Sequence, residues 1–512
     1  MLTIMRRHRR RARLLARILS VSLALSLVEA AGAVWAQAPG GTGSESQAPT
    51  LSGSPAPEST APLTPPPPVP PWPATPGLTP PATIPSRPVP VSTQPTAVAP
   101  PAATFQLDYL LGVGEEYSDN FRRSDADKKS NFRTILSPGL RLGINGAFTK
   151  GLISYVPSET YDSSDDKASL FHSFLGSVTW QATPRLSLTL SDTFIRSDEA
   201  SQADRLSLRR DRQPFTTNTL APILTYSFAP ITTTAYYRFS TFVEEGGRDT
   251  ISHLIGTTAS TSIYESNTVS VGYEYLNSDT SGGQGTLSAG SLGSGGTQDV
   301  SGHRFFGSFT RQLNPLTSAG ISGSYGLRQS GTNDFDVWSV SLFTTRNVGA
   351  LSLTGNVGYS QVKRDAGGTD SSILTATTLI YRLARVSLTL GVDTGFSETF
   401  AEGQNFGVVE TRGVTGTLSY EFTPFITATT GGFYRENAPT GTSTRTTTQG
   451  GARDENSWGA SVTVAIKLSR WLTMLLDYSH TEASRQAILQ STPQDGGAFT
   501  ENRARISLNA SF

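Results

Sequence analysis

From residue 456 to Phe512 the sequence keeps an apolar/polar alternation with a period of two. Trp458, Ala460, Val462, Val464, Ile466 and Leu468 alternate with Ser457, Gly459, Ser461, Thr463, Ala465 and Lys467. After Ser469-Arg470, residues Leu472, Met474, Leu476 and Tyr478 oppose Thr473, Leu475, Asp477 and Ser479. A last run sets Ile506, Leu508, Ala510 and Phe512 against Arg503, Arg505, Ser507, Asn509 and Ser511. Side chains on a strand alternate faces, so each run predicts a strand with one greasy and one wet side.

The same writing extends back to Thr104. Apolar-alternating segments are separated by short turns near Asn145-Gly146, Thr183-Pro184, Ala229-Pro230, Glu265-Ser266, Asn314-Pro315, Gly349-Ala350, Ala384-Arg385, Thr423-Pro424 and Ser469-Arg470. Between these turns lie longer polar connections near 118–130, 163–168, 199–213, 245–249, 280–298, 330–334, 365–370, 400–409, 438–455 and 484–498. Nine short and ten long connections join about twenty strands; merging one weak hairpin gives eighteen. Short turns on one side and long loops on the other describe an all-β, transmembrane, antiparallel up-and-down β-barrel over 104–512. An even count leaves both ends of the barrel on the same side, expected to be periplasmic because the Pro-rich segment before residue 104 stays there. The phase is ambiguous in strands such as 299–313, where His303, Arg304, Phe305 and Phe306 run together.

Composition agrees with this reading. Only 36% of the chain is hydrophobic and 16% charged, enough for a barrel that needs grease on one face alone. There is no cysteine, so neither disulfides nor thiolate metal sites arise.

Residues 1–36 read as a signal peptide. A basic stretch from Arg6 to Arg17 precedes an apolar run, with Val34-Trp35-Ala36 as the cleavage site. Residues 37–103 hold 21 of the 31 prolines and almost no charge. Such a segment is expected to be a disordered Pro-rich periplasmic tether. At about 3.1 Å per residue it reaches on the order of 200 Å when extended, far enough for a periplasmic or cell-wall partner. Outside residues 1–36 the chain has 34 basic and 40 acidic side chains, which argues against a nucleic-acid partner.

No motif supports an enzyme or a cofactor. His172, His253, His303 and His480 show no paired-ligand spacing and are expected in the lumen or at its rim. Glu115-Glu116, Asp165-Asp166 and Glu244-Glu245 are sequence neighbours; on a strand such neighbours face opposite ways and share no acid/base role. Asp125 and Asp127 read as solvated loop charge.

What remains is the lumen. Strand phase turns Arg133, Arg141, Arg238, Glu274, Arg382, Asp393, Glu421, Lys467, Asp477, Arg503 and Arg505 inward. On the lipid face an Arg or Lys at mid-membrane costs about 2–4 kcal/mol, which makes the inward phase the only comfortable one. Arg133, Arg141, Arg503 and Arg505 would form a basic stripe where the first and last strands meet. The alternative is that these charges only brace the wall through cross-strand pairs.

The strand L-L-G-V-G-E-E-Y-S-D-N (110–120) followed by L-S-P-G-L-R-L (136–142) is similar to the start of a family of bacterial outer-membrane β-barrel porins. Some of these are encoded beside exopolysaccharide and protein-sorting systems. The resemblance implies an outer-membrane pore for polar solutes or polysaccharide, embedded in outer-membrane lipid and lipopolysaccharide. A final strand on an aromatic residue, Phe512, resembles the signal read by the barrel-assembly machinery. A structural or adhesive surface barrel with a loop-blocked lumen, contacting partners through 280–298 and 438–455, is the alternative. An outer-membrane hydrolase comes third.

Overall fold

The computed structural model describes residues 104–512 except 125–127, 200–211, 246–247, 265, 283–298, 331–333, 366–367, 399–407, 440–454 and 486–497. The signal and tether, Asp125 and Asp127, and most of the loops at 280–298 and 438–455 lie outside the described residues.

Twenty strands form one antiparallel sheet in chain order, β1 (Thr104–Ser118) to β20 (Phe499–Ser511). The sheet closes on itself: β1 pairs with β20 from Leu110↔Ser511 to Ser118↔Arg503. Strands of 12–17 residues, as in β5 (Leu186–Ser197) and β4 (Lys167–Thr183), exceed the 9–11 that a tilted strand needs to cross a bilayer. With strands about 4.8 Å apart and tilted by about 40°, the wall is about 40 Å across.

The nine short turns fall where the sequence puts them, and their local chemistry repeats. In Thr183-Pro184 and Thr423-Pro424 the threonine Oγ1 accepts the backbone N–H groups two and three residues ahead, from Arg185 and Leu186 and from Phe425 and Ile426. Asn314 Oδ1 accepts the Leu316 N–H in the same way. Proline donates nothing, so a polar side chain before it caps the turn and leaves no ladder bond unmade. A register shift accompanies each of these three turns. The other end is less uniform than expected. β3 (Thr149–Asp162) and β4 are joined by only four residues, as are β13 (Leu351–Arg364) and β14 (Thr369–Arg382). Three residues join β7 (Ile231–Glu244) to β8 (Arg248–Ile263).

The outer wall is apolar. Leu342 on β12 (Phe335–Val348), Ile373 on β14, Ile255 on β8 and Phe305 on β10 (Val300–Asn314) are each more than half exposed. A belt of this size is not compatible with water, and a closed barrel satisfies its backbone without it. The protein is therefore an outer-membrane barrel, with short turns at one end and mostly longer loops at the other. Registration resolves the ambiguous strand. His303, Phe305 and Phe309 face out, while Arg304 and Phe306 share the inner face with the buried Val300. The apolar core lies inside, toward the loop end, where Leu254, Leu276, Val300, Phe335 and Val362 pack together.

Candidate functional site: the lumen wall

Inward positions carry hydroxyls more than any other chemistry, and these pair across strands. Ser137 meets Ser158 at 2.7 Å, Thr179 meets Thr189 at 3.0 Å and Ser252 meets Ser278 at 2.8 Å. Ser270–Ser308, Ser322–Ser341 and Ser324–Ser339 repeat the contact at 2.7, 2.8 and 2.9 Å. A hydroxyl both donates and accepts, so each pair is satisfied within the wall and keeps capacity for a solute.

Charges are fewer and mostly matched. Arg133 on β2 (Asn131–Asn145) bonds Asp162 and Asp198, both at 2.5 Å. Its guanidinium lies 4.7 Å from the centre of the Phe121 ring, and Arg212 sits at the same distance from that ring. Arg503 holds Glu199 at 2.8 Å, Arg123 holds Glu199 at 2.6 Å and Glu501 at 2.9 Å, and Arg212 reaches Glu501 at 2.9 Å. Glu199 and Arg212 flank the connection from β5 to β6 (Phe215–Phe228), so its two ends are tied to β20 and to Arg123 just beyond β1. Burial opposes ionisation of Glu199, but Arg123, Arg212 and Arg503 outweigh it and hold the carboxyl well below the usual range.

Arg505 stands in register with Glu116 on one side and Asp477 on the other, and Asp477 accepts the Thr463 hydroxyl at 2.7 Å. Across the barrel Glu274, only 3% exposed, accepts the Tyr236 hydroxyl at 2.6 Å and lies 3.4 Å from Arg304. Arg238 is two residues from Tyr236 on the same face. Asp393 lies 3.7 Å from Arg435. Arg141 stands opposite Asp108, while Arg382, Glu421 and Lys467 sit by the short turns, opposite Ser387, Thr427 and Thr473. The four arginines named as a basic stripe therefore do not act alone. Arg133 and Arg503 are paired, and acidic residues adjoin Arg141 and Arg505. Sequence phase gave the facing but could not foresee these partners, which come from strands and loop ends far away in the chain.

The histidines differ from expectation. His172, His253, His303 and His480 all sit on outward positions, where the strand phase turns them away from the lumen. Each is made tolerable there by a hydrogen bond at Nδ1, which in His480 donates to the Asn502 amide oxygen. The hydroxyls of Tyr155, Tyr237 and Tyr273 reach the first three at 2.9, 2.7 and 2.8 Å, and Asn502 reaches His480 at 2.8 Å. Among the described residues no three His, Asp or Glu side chains converge as metal donors.

No protein-family model and no curated protein matches the chain. Solved structures do resemble it. The siderophore receptor PirA from Pseudomonas aeruginosa is 12% identical over 80% of this chain and 81% of its own, with a TM-score of 0.42. The FrpB iron transporter from Neisseria meningitidis (F3-3 variant) is 12% identical over 79% and 81%, with a TM-score of 0.46. PirA from Acinetobacter baumannii is 10% identical over 79% and 80%, with a TM-score of 0.41. At these identities the likeness is one of architecture.

Proposed function

We propose that the barrel is a pore for polar, largely uncharged solutes, of which polysaccharide is one, and that its part in the cell is export or uptake rather than catalysis. The inward wall of cross-strand hydroxyl pairs carries this reading. Such a wall replaces the hydration of a neutral polyol without attracting either sign of ion. Two groups among the inward charges are assigned parts. Those paired at the loop end brace the wall, while Arg382, Glu421 and Lys467 at the short-turn mouth bias ion preference weakly.

In the same proposal Phe512 serves as the assembly signal and residues 37–103 as a tether to a periplasmic or cell-wall partner. Planar-bilayer recording tests the pore. Stepwise conductance with weak ion selectivity is expected. A purified, heat-modifiable barrel that passes no current would leave the alternative, a structural barrel with an occluded lumen. The ion pairs that draw Glu199 to Arg123 and Arg212 to Glu501 on β20 favour that second reading.

A further inference from the structure

Four inward aromatic rings each stand directly opposite a glycine in the ladder. Tyr236 on β7 pairs with Gly256 on β8, and Phe306 on β10 pairs with Gly272 on β9 (Asn267–Gly282). Phe343 on β12 pairs with Gly320 on β11 (Thr317–Gln329), and Phe433 on β17 (Ile426–Pro439) pairs with Gly459 on β18 (Glu455–Lys467). In every case a methyl group added to the glycine would collide with the facing ring, so each ring lies down over the bare backbone of its neighbour. All four rings are half-buried, with one face on the wall and the rest toward the lumen.

The first two rings converge. Tyr236 lies over β8 from one side and Phe306 lies over β9 from the other, and β8 and β9 are adjacent strands. The Tyr236 hydroxyl crosses β8 to donate to Glu274 on β9 at 2.6 Å. Arg304 pairs with the same carboxylate and lies 5.4 Å from the centre of the Phe306 ring. Hydroxyl pairs continue the surface along the ladder: Ser270–Ser308 next to Gly272 and Phe306, and Ser322–Ser341 next to Phe343.

An aromatic face laid flat on a polar wall, flanked by hydroxyls and a charged donor–acceptor pair, matches one chemical class of solute. A pyranose has an apolar C–H face and a hydroxyl rim. Its face gains from a ring, and its rim needs donors and acceptors. We propose that the Tyr236/Phe306 surface is a saccharide-stacking site on the lumen wall, with Phe343 and Phe433 as further platforms for the same chain. This rests on the pore reading and names its substrate class. The competing account is purely structural, since a ring over a glycine also stabilises the strand.

The test separates the two. Single-channel current through the wild-type barrel is recorded with a linear glucose oligosaccharide, and with polyethylene glycol of matched size as a non-stacking control. The sugar should interrupt the current for longer than the polymer. A Tyr236→Leu/Phe306→Leu double variant, shown to be folded by heat-modifiable mobility, should shorten the sugar blocks by about tenfold relative to the polymer blocks. Equal block by sugar and polymer, or unchanged block in the folded double variant, overturns the site. Should the barrel carry no current, saturation-transfer NMR with the same sugar on the detergent-folded protein decides instead. Ring-dependent contact then upholds the site although the pore reading has failed, and no contact removes both.

Discussion

Phe512 and Tyr109 exchange two backbone hydrogen bonds, Tyr109 N–H to the Phe512 carbonyl at 3.1 Å and Phe512 N–H to the Tyr109 carbonyl at 3.0 Å. These bonds lie at the short-turn end of the closure between β1 and β20, and the Phe512 ring also stacks on Trp471 with centroids 5.4 Å apart. Deleting Phe512 removes both bonds and the stack. About 1–3 kcal/mol of closure is lost, and the folded, heat-modifiable band should fall while Phe512→Tyr keeps it. Electrophoresis of unboiled samples checks this, and an undiminished band in the deletion variant would remove Phe512 from the closure.

The outward belt makes a second demand. Leu342 is 61% exposed and sits well inside the span, six residues from the turn at Val348. Leu342→Arg puts a guanidinium in lipid at a cost of about 2–4 kcal/mol. Chemical denaturation in bilayers should show that loss. Leu342→Met, of nearly the same volume, should stay within about 1.5 kcal/mol of wild type.

Most of this wall was legible in the chain because a strand's period is local. Four of the nine turns are visible in Thr-Pro, Asn-Pro and Asn-Gly pairs, and the inward phase of Arg133 or Lys467 follows from counting by twos. Pairing is a different kind of information. Arg133 finds Asp198, sixty-five residues away, and Tyr236 finds Gly256 only once the register of β7 on β8 is known. The histidines were misplaced for a related reason. A polar residue on a strand suggests the lumen, but Tyr237 on the neighbouring strand satisfies His253 and lets it face out. The glycines opposite aromatics were present in the sequence, yet a lone Gly in a strand carries no address until its partner is assigned.

The tied ends of the β5–β6 connection give a pH dependence. The carboxyl of Glu199 is held below its ordinary value when folded, so its contribution is present above the unfolded carboxylate range. It is lost as pH falls through the lower, folded value. Thermal unfolding followed from neutral to strongly acidic pH should show this loss. Glu199→Gln should lower stability at neutral pH and flatten the acid limb, because the amide cannot ionise. An acid limb of unchanged slope in the Gln variant would sink the assignment.

The charges at the short-turn mouth give the last prediction. Arg382 and Lys467 stand opposite Ser387 and Thr473 rather than opposite acids, whereas Arg133 is locked between Asp162 and Asp198. A lumen charge influences permeating ions through whatever field its partners leave uncancelled, so the mouth should control selectivity more than the loop-end cluster does. Arg382→Glu with Lys467→Glu adds four negative charges' worth of change at the mouth and should shift the reversal potential in a salt gradient toward cation preference. Arg133→Gln instead leaves Asp162 and Asp198 buried without their partner, so its main effect should be on stability, with a cost of about 3–5 kcal/mol. The two readouts exchange places if the loop-end cluster, and not the mouth, sets the permeation field.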